Sequence, residues 1–188
     1  MKVSTDFVVV LHNIRSLYNV GSMFRTADGA GVKKIYLCGI TPSPVDDFGK
    51  LRREFAKVAL GAEKFVEWDT SGRSTRATVR LVGKLKKQGY TVFAIEQAKN
   101  SIPYYRVQRQ VSGMKKIVLI AGSEVRGLPP SILKQSDKIL EIPMRGAMVR
   151  QDHHPRHAGP GKESLNVAVA FGIVAYHLSG ANASSRRG

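Results

Sequence analysis

The polar side chains that are best placed to bind a ligand or take part in a reaction follow short apolar runs, and these runs have the composition of buried strands. They combine amides, a guanidinium, a carboxylate and a hydroxyl, and they are Asn19, Arg25, Glu124, Ser164 and Asn166. The carboxyl ends of parallel strands meet at one edge of a sheet, where ligands bind. A ligand at such an edge can be held by backbone groups and a few fixed polar side chains. The surrounding elements must therefore bring three separate stretches together.

The stretch 138–178 predicts a strand, a polar loop and a helix. Pro143 ends a short apolar run, which is typical of a buried strand and its exit. Ser164 stands where the helix N-cap is expected, and the residues from Leu165 onward are almost all apolar. A helix of that kind is buried on all sides, within a core or under a partner subunit. Asn166, near its start, needs hydrogen-bond partners if it is buried.

The apolar run 7–11 predicts a strand buried on both faces, followed by a helix. The helix is expected to begin near Tyr18 or Asn19, with Asn19 as its cap and Arg25 about two turns further on. Spacing alone favours a capped helix with one solvated arginine.

A third strand is predicted from Lys116, ending in a glycine-containing turn. The following helix is expected to carry Pro129 or Pro130 in its first turn. Gly122 would let a ligand approach the backbone closely. Spacing leaves open whether Glu124 simply pairs with Arg126.

These three stretches resemble the three motifs of the SpoU/TrmH family. The first motif corresponds to Asn13, Asn19, Gly21, Arg25 and Thr26. The second corresponds to Gly122, Glu124, Gly127 and Leu128, and the third to Ile142, Pro143 and Met144 with Ser164, Leu165, Asn166 and Val167. Members of that family are S-adenosylmethionine-dependent RNA ribose methyltransferases of the knotted SPOUT superfamily.

The resemblance implies roles for individual residues. Its catalytic set is Asn19, Arg25, Glu124, Ser164 and Asn166. Its cofactor-binding set is Glu96, Gly122, Ile142, Met144 and Leu165. It also implies a homodimer and a C-terminal trefoil knot built from the segments after about residue 90. Because a guanidinium stays protonated, we expect Arg25 to hold the phosphate beside the target ribose and lower the pKa of the hydroxyl.

The sequence departs from the family pattern between Ala147 and Pro160, where about fourteen residues are inserted. We expect this insertion to form a basic flap over the cofactor or the RNA. It contains His153, His154 and His157, but Pro155 interrupts any helical face and no cysteine lies near. No metal is therefore expected.

The formal net charge of +16, from thirty Lys and Arg against fourteen acidic residues, indicates a polyanionic partner. Five basic residues are predicted to share one helix face, and they are Arg73, Arg76, Arg80, Lys84 and Lys87. We interpret this face as a contact for RNA phosphates, with a merely solubilising face as the alternative. Tyr104 and Tyr105 lie among arginines, and they could either stack on unpaired bases or pack on the core.

Alternating strands and helices predict an α/β fold with one parallel sheet covered by helices on both faces. Six strands are expected, starting at Phe7, Lys34, Lys64, Tyr90, Lys116 and Lys138. We expect one domain over 1–180 and a basic tail over 181–188. No segment is predicted to span a membrane or to act as a signal peptide, and the single cysteine, Cys38, agrees with a reducing cytoplasm.

The resulting hypothesis is an S-adenosylmethionine-dependent methyltransferase that modifies a ribose 2'-hydroxyl in tRNA or rRNA. A non-catalytic RNA-binding relative of the same fold is the first alternative. A structural protein associated with DNA or the ribosome is the second. The second alternative accounts for the charge, but it does not account for polar residues at several strand ends.

Overall fold

The computed structural model describes residues 5–144 and 164–183. Within them, seven strands form one sheet in which every neighbouring pair is parallel. The strands are β1 Asp6–His12, β2 Lys34–Cys38, β3 Glu67–Thr70, β4 Thr91–Ile95, β5 Ile102–Pro103, β6 Lys116–Ala121 and β7 Lys138–Glu141. Their order across the sheet is β3-β2-β1-β6-β4-β7-β5. The predicted parallel α/β fold is confirmed.

In the part of the chain that the structure describes, six α-helices pack on this sheet. They are α1 Leu17–Gly29, α2 Arg53–Ala59, α3 Thr75–Lys87, α4 Gln108–Val111, α5 Pro130–Leu133 and α6 Val167–Ala183. Two buried apolar clusters lie on opposite faces of the sheet, as expected for a central strand that is apolar throughout. Phe7 and Val9 of β1 belong to the cluster under α1, α2 and α6. Val8 and Val10 belong to the cluster under α3 and α5.

Two strand predictions differ from the structure. The third strand begins at Glu67 rather than Lys64, because Ala62–Lys64 forms a 3-10 turn and Phe65 lies outside with 77% of its surface exposed. A seventh strand, β5, had not been predicted. It has two residues, and one of them is a proline, which is tolerated at a sheet edge.

Helix α1 begins one to two residues earlier than predicted. Ser16, not Asn19, is the N-cap, because the Ser16 hydroxyl accepts a hydrogen bond from the Asn19 backbone N–H at 3.2 Å. The side chain of Asn19 is therefore available for other contacts.

Helix α3 also has a serine cap, because the Ser74 hydroxyl accepts from the Ala77 N–H at 3.2 Å. The helix starts at Thr75, so Arg73 lies before it. The prediction that all five basic residues share one helix face is wrong for Arg73 and agrees with the spacing of the other four.

Helix α6 runs from Val167 to Ala183, past the expected domain end at residue 180. Phe171 and Leu178 are fully buried, whereas Val169 is 51% and Tyr176 is 54% exposed. The helix is therefore buried along one side only in the single chain. Across the described ranges, no helix combines the length and the apolarity needed to cross a bilayer.

The free cysteine, Cys38, ends β2 and is completely buried. Burial raises the pKa of its thiol to about 11. It behaves as the small apolar residue that the sequence indicated.

Candidate active site

A cleft of about 320 Å³ opens at the carboxyl ends of β4, β6 and β7, beside the start of α6. This is the edge at which open parallel sheets bind ligands. The five residues predicted to bind a cofactor all line it, and they are Glu96, Gly122, Ile142, Met144 and Leu165. Glu124 and Ser164 from the predicted catalytic set line it as well. The structure therefore brings the second and third motif stretches together around one cavity.

One wall of the cleft is the loop after β6, which Glu96 holds in place. The Glu96 carboxylate accepts hydrogen bonds from the Leu128 N–H at 2.6 Å and from the Gln97 N–H at 3.0 Å. Gly127 has φ +62°, and a Cβ added there would collide with that carboxylate. A Cβ at Gly122 would stand 2.7 Å from the Leu128 Cγ. These two glycines are thus required by the packing of the loop itself.

Three elements meet at the mouth of the cleft through two side-chain amides and one carboxylate. The Asn19 Nδ2 of α1 donates to the Glu124 Oε1 at 2.5 Å. The Asn166 Nδ2 donates in turn to the Asn19 Oδ1 at 3.3 Å. The pairing of Glu124 with Asn19 answers the question left open by spacing, since Arg126 had been the alternative partner. We call this set of three residues the polar bridge.

Asn166, rather than Ser164, caps α6. The Asn166 Oδ1 accepts from the backbone N–H groups of Ala168 at 2.9 Å and Val169 at 3.4 Å. The helix starts at Val167, so Ser164 lies too far upstream to reach these groups. The prediction of Ser164 as the cap is therefore wrong, whereas its position beside the cleft agrees with a ligand contact.

Arg25 lies on the exposed surface of α1 and is not part of the cleft wall of its own chain. It follows Tyr18 by seven residues, so the two side chains share one face of the helix. Its predicted catalytic role stays a prediction.

The charges in the cleft wall favour a ligand with positive charge. Glu96, Glu124 and Glu141 contribute three carboxylates, against the single guanidinium of Arg126. Glu141 had not been predicted, and its carboxylate accepts from the Ser101 hydroxyl at 2.6 Å. Its position directly before Ile142, at the end of a predicted strand, was the signal that could have identified it.

The basic residues predicted to contact RNA are all exposed, and they are Arg73, Arg76, Arg80, Lys84 and Lys87. The four on α3 extend over about 16 Å of helix. Lys86 differs from them, because its ammonium binds the Asp137 carboxylate at 2.7 Å. We refer to Arg76, Arg80, Lys84 and Lys87 as the α3 basic face.

Tyr104 and Tyr105, which follow β5, differ in whether they pack on the core or stay open to stack on a base. Tyr104 packs edge-on against Tyr105 and His177, with ring centroids 5.5 and 5.0 Å apart. Tyr105 is 45% exposed. The packing interpretation holds for Tyr104, and Tyr105 alone retains a surface that a base could contact.

No cluster of three or more potential metal ligands exists among residues 5–144 and 164–183. The histidines His153, His154 and His157, and the insertion Ala147–Pro160 that contains them, lie outside the described residues.

Comparison with known proteins identifies the same group as the motifs. The sequence profile described as the SpoU rRNA Methylase family matches residues 6–149. The tRNA (guanosine(18)-2'-O)-methyltransferase of Aquifex aeolicus is 27% identical over 91% of this chain, which spans 67% of that protein. The 23S rRNA (guanosine(2553)-2'-O)-methyltransferase RlmP of Bacillus subtilis is 29% identical over 92% of this chain, which spans 58% of that protein.

Solved structures agree with these matches. The AdoMet-bound rRNA methyltransferase from Sinorhizobium meliloti superposes with a TM-score of 0.71 and 26% identity. The alignment covers 93% of this chain and 56% of that chain.

Proposed function

This chain belongs to the SpoU rRNA methylase family, and from that premise we propose that it transfers a methyl group from S-adenosylmethionine to a ribose 2'-hydroxyl in tRNA or rRNA. The observation that carries the proposal is the cleft, where the second and third motif stretches meet. The polar bridge then connects both of them to Asn19 of the first motif. Relatives named for both RNA classes support a substrate of either kind.

The residues of the cleft fit the proposed cofactor. The volume of the cleft lies at the lower end of the range typical of small-molecule sites. Three carboxylates suit a ligand that carries a sulfonium and an ammonium group, and Ile142, Met144 and Leu165 suit its apolar parts. When bound, S-adenosylmethionine supplies the electrophilic methyl group. Glu96 maintains the shape of the wall, because its carboxylate holds the backbone of the loop that contains Gly122 and Gly127.

Acceptance of the methyl group requires that the ribose hydroxyl be aimed and made more acidic. Arg25 would bind the adjacent phosphate and favour the alkoxide electrostatically, because a guanidinium is a poor base. Asn19 and Asn166 would orient the ribose, and Glu124 would hold Asn19 in position. Ser164, exposed at the mouth of the cleft, would contribute its hydroxyl to the same site.

The position of Arg25 is accounted for by a homodimer. The exposed faces of α1 and α6 adjoin, since the Tyr176 hydroxyl lies next to Gly29. Tyr18, Val169 and Tyr176 on these faces are each about half exposed, and exposed apolar side chains on adjoining faces suit a surface that a partner covers. A second copy on this surface would cover them and bring Arg25 to the partner's cleft. Sedimentation velocity should then give twice the mass of one chain.

The remaining expectations belong to the same proposal. Residues 1–180 act as one methyltransferase domain in the cytoplasm, and the chain after β4 passes through a trefoil knot. The insertion of β7 between β4 and β5, two strands that precede it in the chain, supports a threaded topology. The α3 basic face, with Arg73 before it, contacts RNA phosphates.

The test uses the purified chain, S-adenosylmethionine and total tRNA and rRNA from cells lacking the corresponding gene. We expect calorimetric binding of the cofactor and methylation at a defined 2'-hydroxyl. The Arg25→Lys variant should lose turnover and keep RNA affinity within a few-fold, whereas Arg53→Lys, at an exposed arginine of α2, should behave as wild type. RNA binding without cofactor binding would instead identify a non-catalytic relative.

A further inference from the structure

A cluster of buried polar side chains lies at the carboxyl ends of β1 and β2, outside the cleft. His12 and Thr78 have no exposed surface, and Thr41 is 8% exposed. His12 is the last residue of β1, and Thr78 lies in the first turns of α3. Buried polar groups are retained only where hydrogen bonds satisfy them.

The directions of the bonds define the state of the His12 ring. The Asn13 Nδ2 lies 3.1 Å from the His12 Nε2, and an amide nitrogen can only donate, so Nε2 must accept. With Nε2 unprotonated, Nδ1 carries the ring proton and donates to the Thr78 hydroxyl at 3.0 Å, and that hydroxyl lies 3.3 Å from the Ser74 carbonyl. The ring is thus neutral with its proton on Nδ1. Burial, which lowers the pKa of His12, favours the same neutral state.

Asn13 connects this ring to the start of α1. It has φ +59°, a left-handed conformation that a residue other than glycine rarely adopts without support. Its side chain provides that support, because Oδ1 accepts from the Ile40 N–H at 3.1 Å while Nδ2 is held by His12. The next residue, Ile14, is fixed by its N–H bond to the Thr41 hydroxyl at 3.1 Å. Three residues after Asn13, Ser16 caps the helix that carries Asn19 and Arg25.

We propose that His12 is a positioning residue for methyl transfer, because its neutral ring fixes Asn13 and thereby the start of α1 against the first turns of α3. The inference rests on the proposed function. One end of the connection is the helix that carries the α3 basic face. The other end is α1, whose Asn19 belongs to the polar bridge. His12 touches none of the reacting groups and acts through Asn13.

Two amide variants separate the two hydrogen bonds of His12. In His12→Gln the side-chain amide reaches about the position of Nε2, and its oxygen can accept from Asn13. In His12→Asn the shorter amide reaches about the position of Nδ1, so it can donate to Thr78 but leaves the Asn13 Nδ2 without its acceptor. We expect turnover of His12→Gln within about 3-fold of wild type and a loss of roughly 10-fold to 100-fold in His12→Asn, as small misplacements of reacting groups cause. The dissociation constant for S-adenosylmethionine should be unchanged in both.

Equal turnover in the two variants, whether both are active or both impaired, would overturn the proposal, because only His12→Asn loses the hydrogen bond to Asn13. A second measurement is independent of activity. Nitrogen NMR of the imidazole should show a neutral ring protonated on Nδ1, and the Asn19 side-chain amide resonance should move in His12→Asn but not in His12→Gln. A ring proton on Nε2 of His12, or an Asn19 resonance that shifts in neither variant, would refute the proposal. An inactive wild type would refute the proposed function and leave the NMR result to decide on His12.

Discussion

Replacing Gly127 with alanine measures how firmly Glu96 holds the cleft wall. The left-handed φ of +62° costs a residue with a Cβ about 1–2 kcal/mol. The new Cβ would also displace the Glu96 carboxylate from its 2.6 Å hydrogen bond with the Leu128 N–H. Loss of a hydrogen bond to a charged group costs about 1.5–3 kcal/mol. The total is therefore about 2.5–5 kcal/mol.

Gly31 offers a matched control for the cost of placing a residue with a Cβ in a left-handed backbone conformation. Its φ is +71°, and a Cβ added there meets no atom within 4 Å. The free energy of unfolding of Gly31→Ala should fall by only about 1–2 kcal/mol. In a background with Glu96→Ala, Gly127→Ala should cost no more than this control. The coupling energy between positions 96 and 127 should then be about 1.5–3 kcal/mol.

Denaturant unfolding of the four variants measures these free energies, and calorimetry with S-adenosylmethionine accompanies it. If the strained loop opens locally, the loss appears in cofactor affinity instead, because the loop lines the cleft. Equal unfolding free energies for Gly127→Ala and Gly31→Ala, with unchanged cofactor affinity in both, would refute the assignment of Glu96 as the support of this wall.

Three further predictions concern RNA, helix capping and pH. Neutralising the α3 basic face should reduce the magnitude of the slope of log K against log salt for RNA binding by roughly 3. Lys86→Gln should leave this slope unchanged. A slope equal to that of wild type after the α3 basic face is neutralised would show that this face does not contact RNA phosphates. Asn166→Ala should lose about 1 kcal/mol of capping energy. Asn166→Asp keeps the cap acceptor but loses the bond to Asn19, so it should lower turnover more than stability. An Asn166→Asp variant that loses stability in denaturation but keeps its turnover would contradict this. Burial lowers the pKa of His12 and of His177. The stability that these neutral rings contribute is therefore complete above pH 6.5, and it is lost as the pH falls from 6.5 towards their lower pKa values in the folded protein. Thermal denaturation across this range should show that His12→Gln and His177→Gln lose less stability than wild type on acidification.

The sheet could be predicted because its central strands are uniformly apolar. Runs such as 7–11 and 117–121 are buried on both faces, and this composition is read directly from the sequence. The edges gave no comparable signal. Ile102–Pro103 is too short for any periodicity, and Phe65 suggested a strand although it lies on the surface.

The convergence of the motifs on one edge followed from the parallel sheet, but the details of capping did not. Ser16 and Asn19 are both good cap residues, as are Ser164 and Asn166. Only the tertiary contact with Glu124 determines that the Asn19 side chain faces the cleft and leaves the cap to Ser16. Local spacing cannot contain that information.

The His12 cluster could not be predicted for a related reason. His12 and Thr78 are separated by 66 positions, and neither belongs to a motif. Their contact depends on α3 crossing the face of the sheet beneath β1 and β2, which becomes visible only in three dimensions.

Cys38 is a natural probe of local opening at the end of β2. A thiol with a pKa of about 11 and no exposed surface reacts negligibly with alkylating reagents while β2 stays closed. Since it is the only cysteine in the chain, each labelling event records one opening of the strand end beside His12 and Gly39. Labelling kinetics would thus give the local opening free energy at this point without any engineered probe.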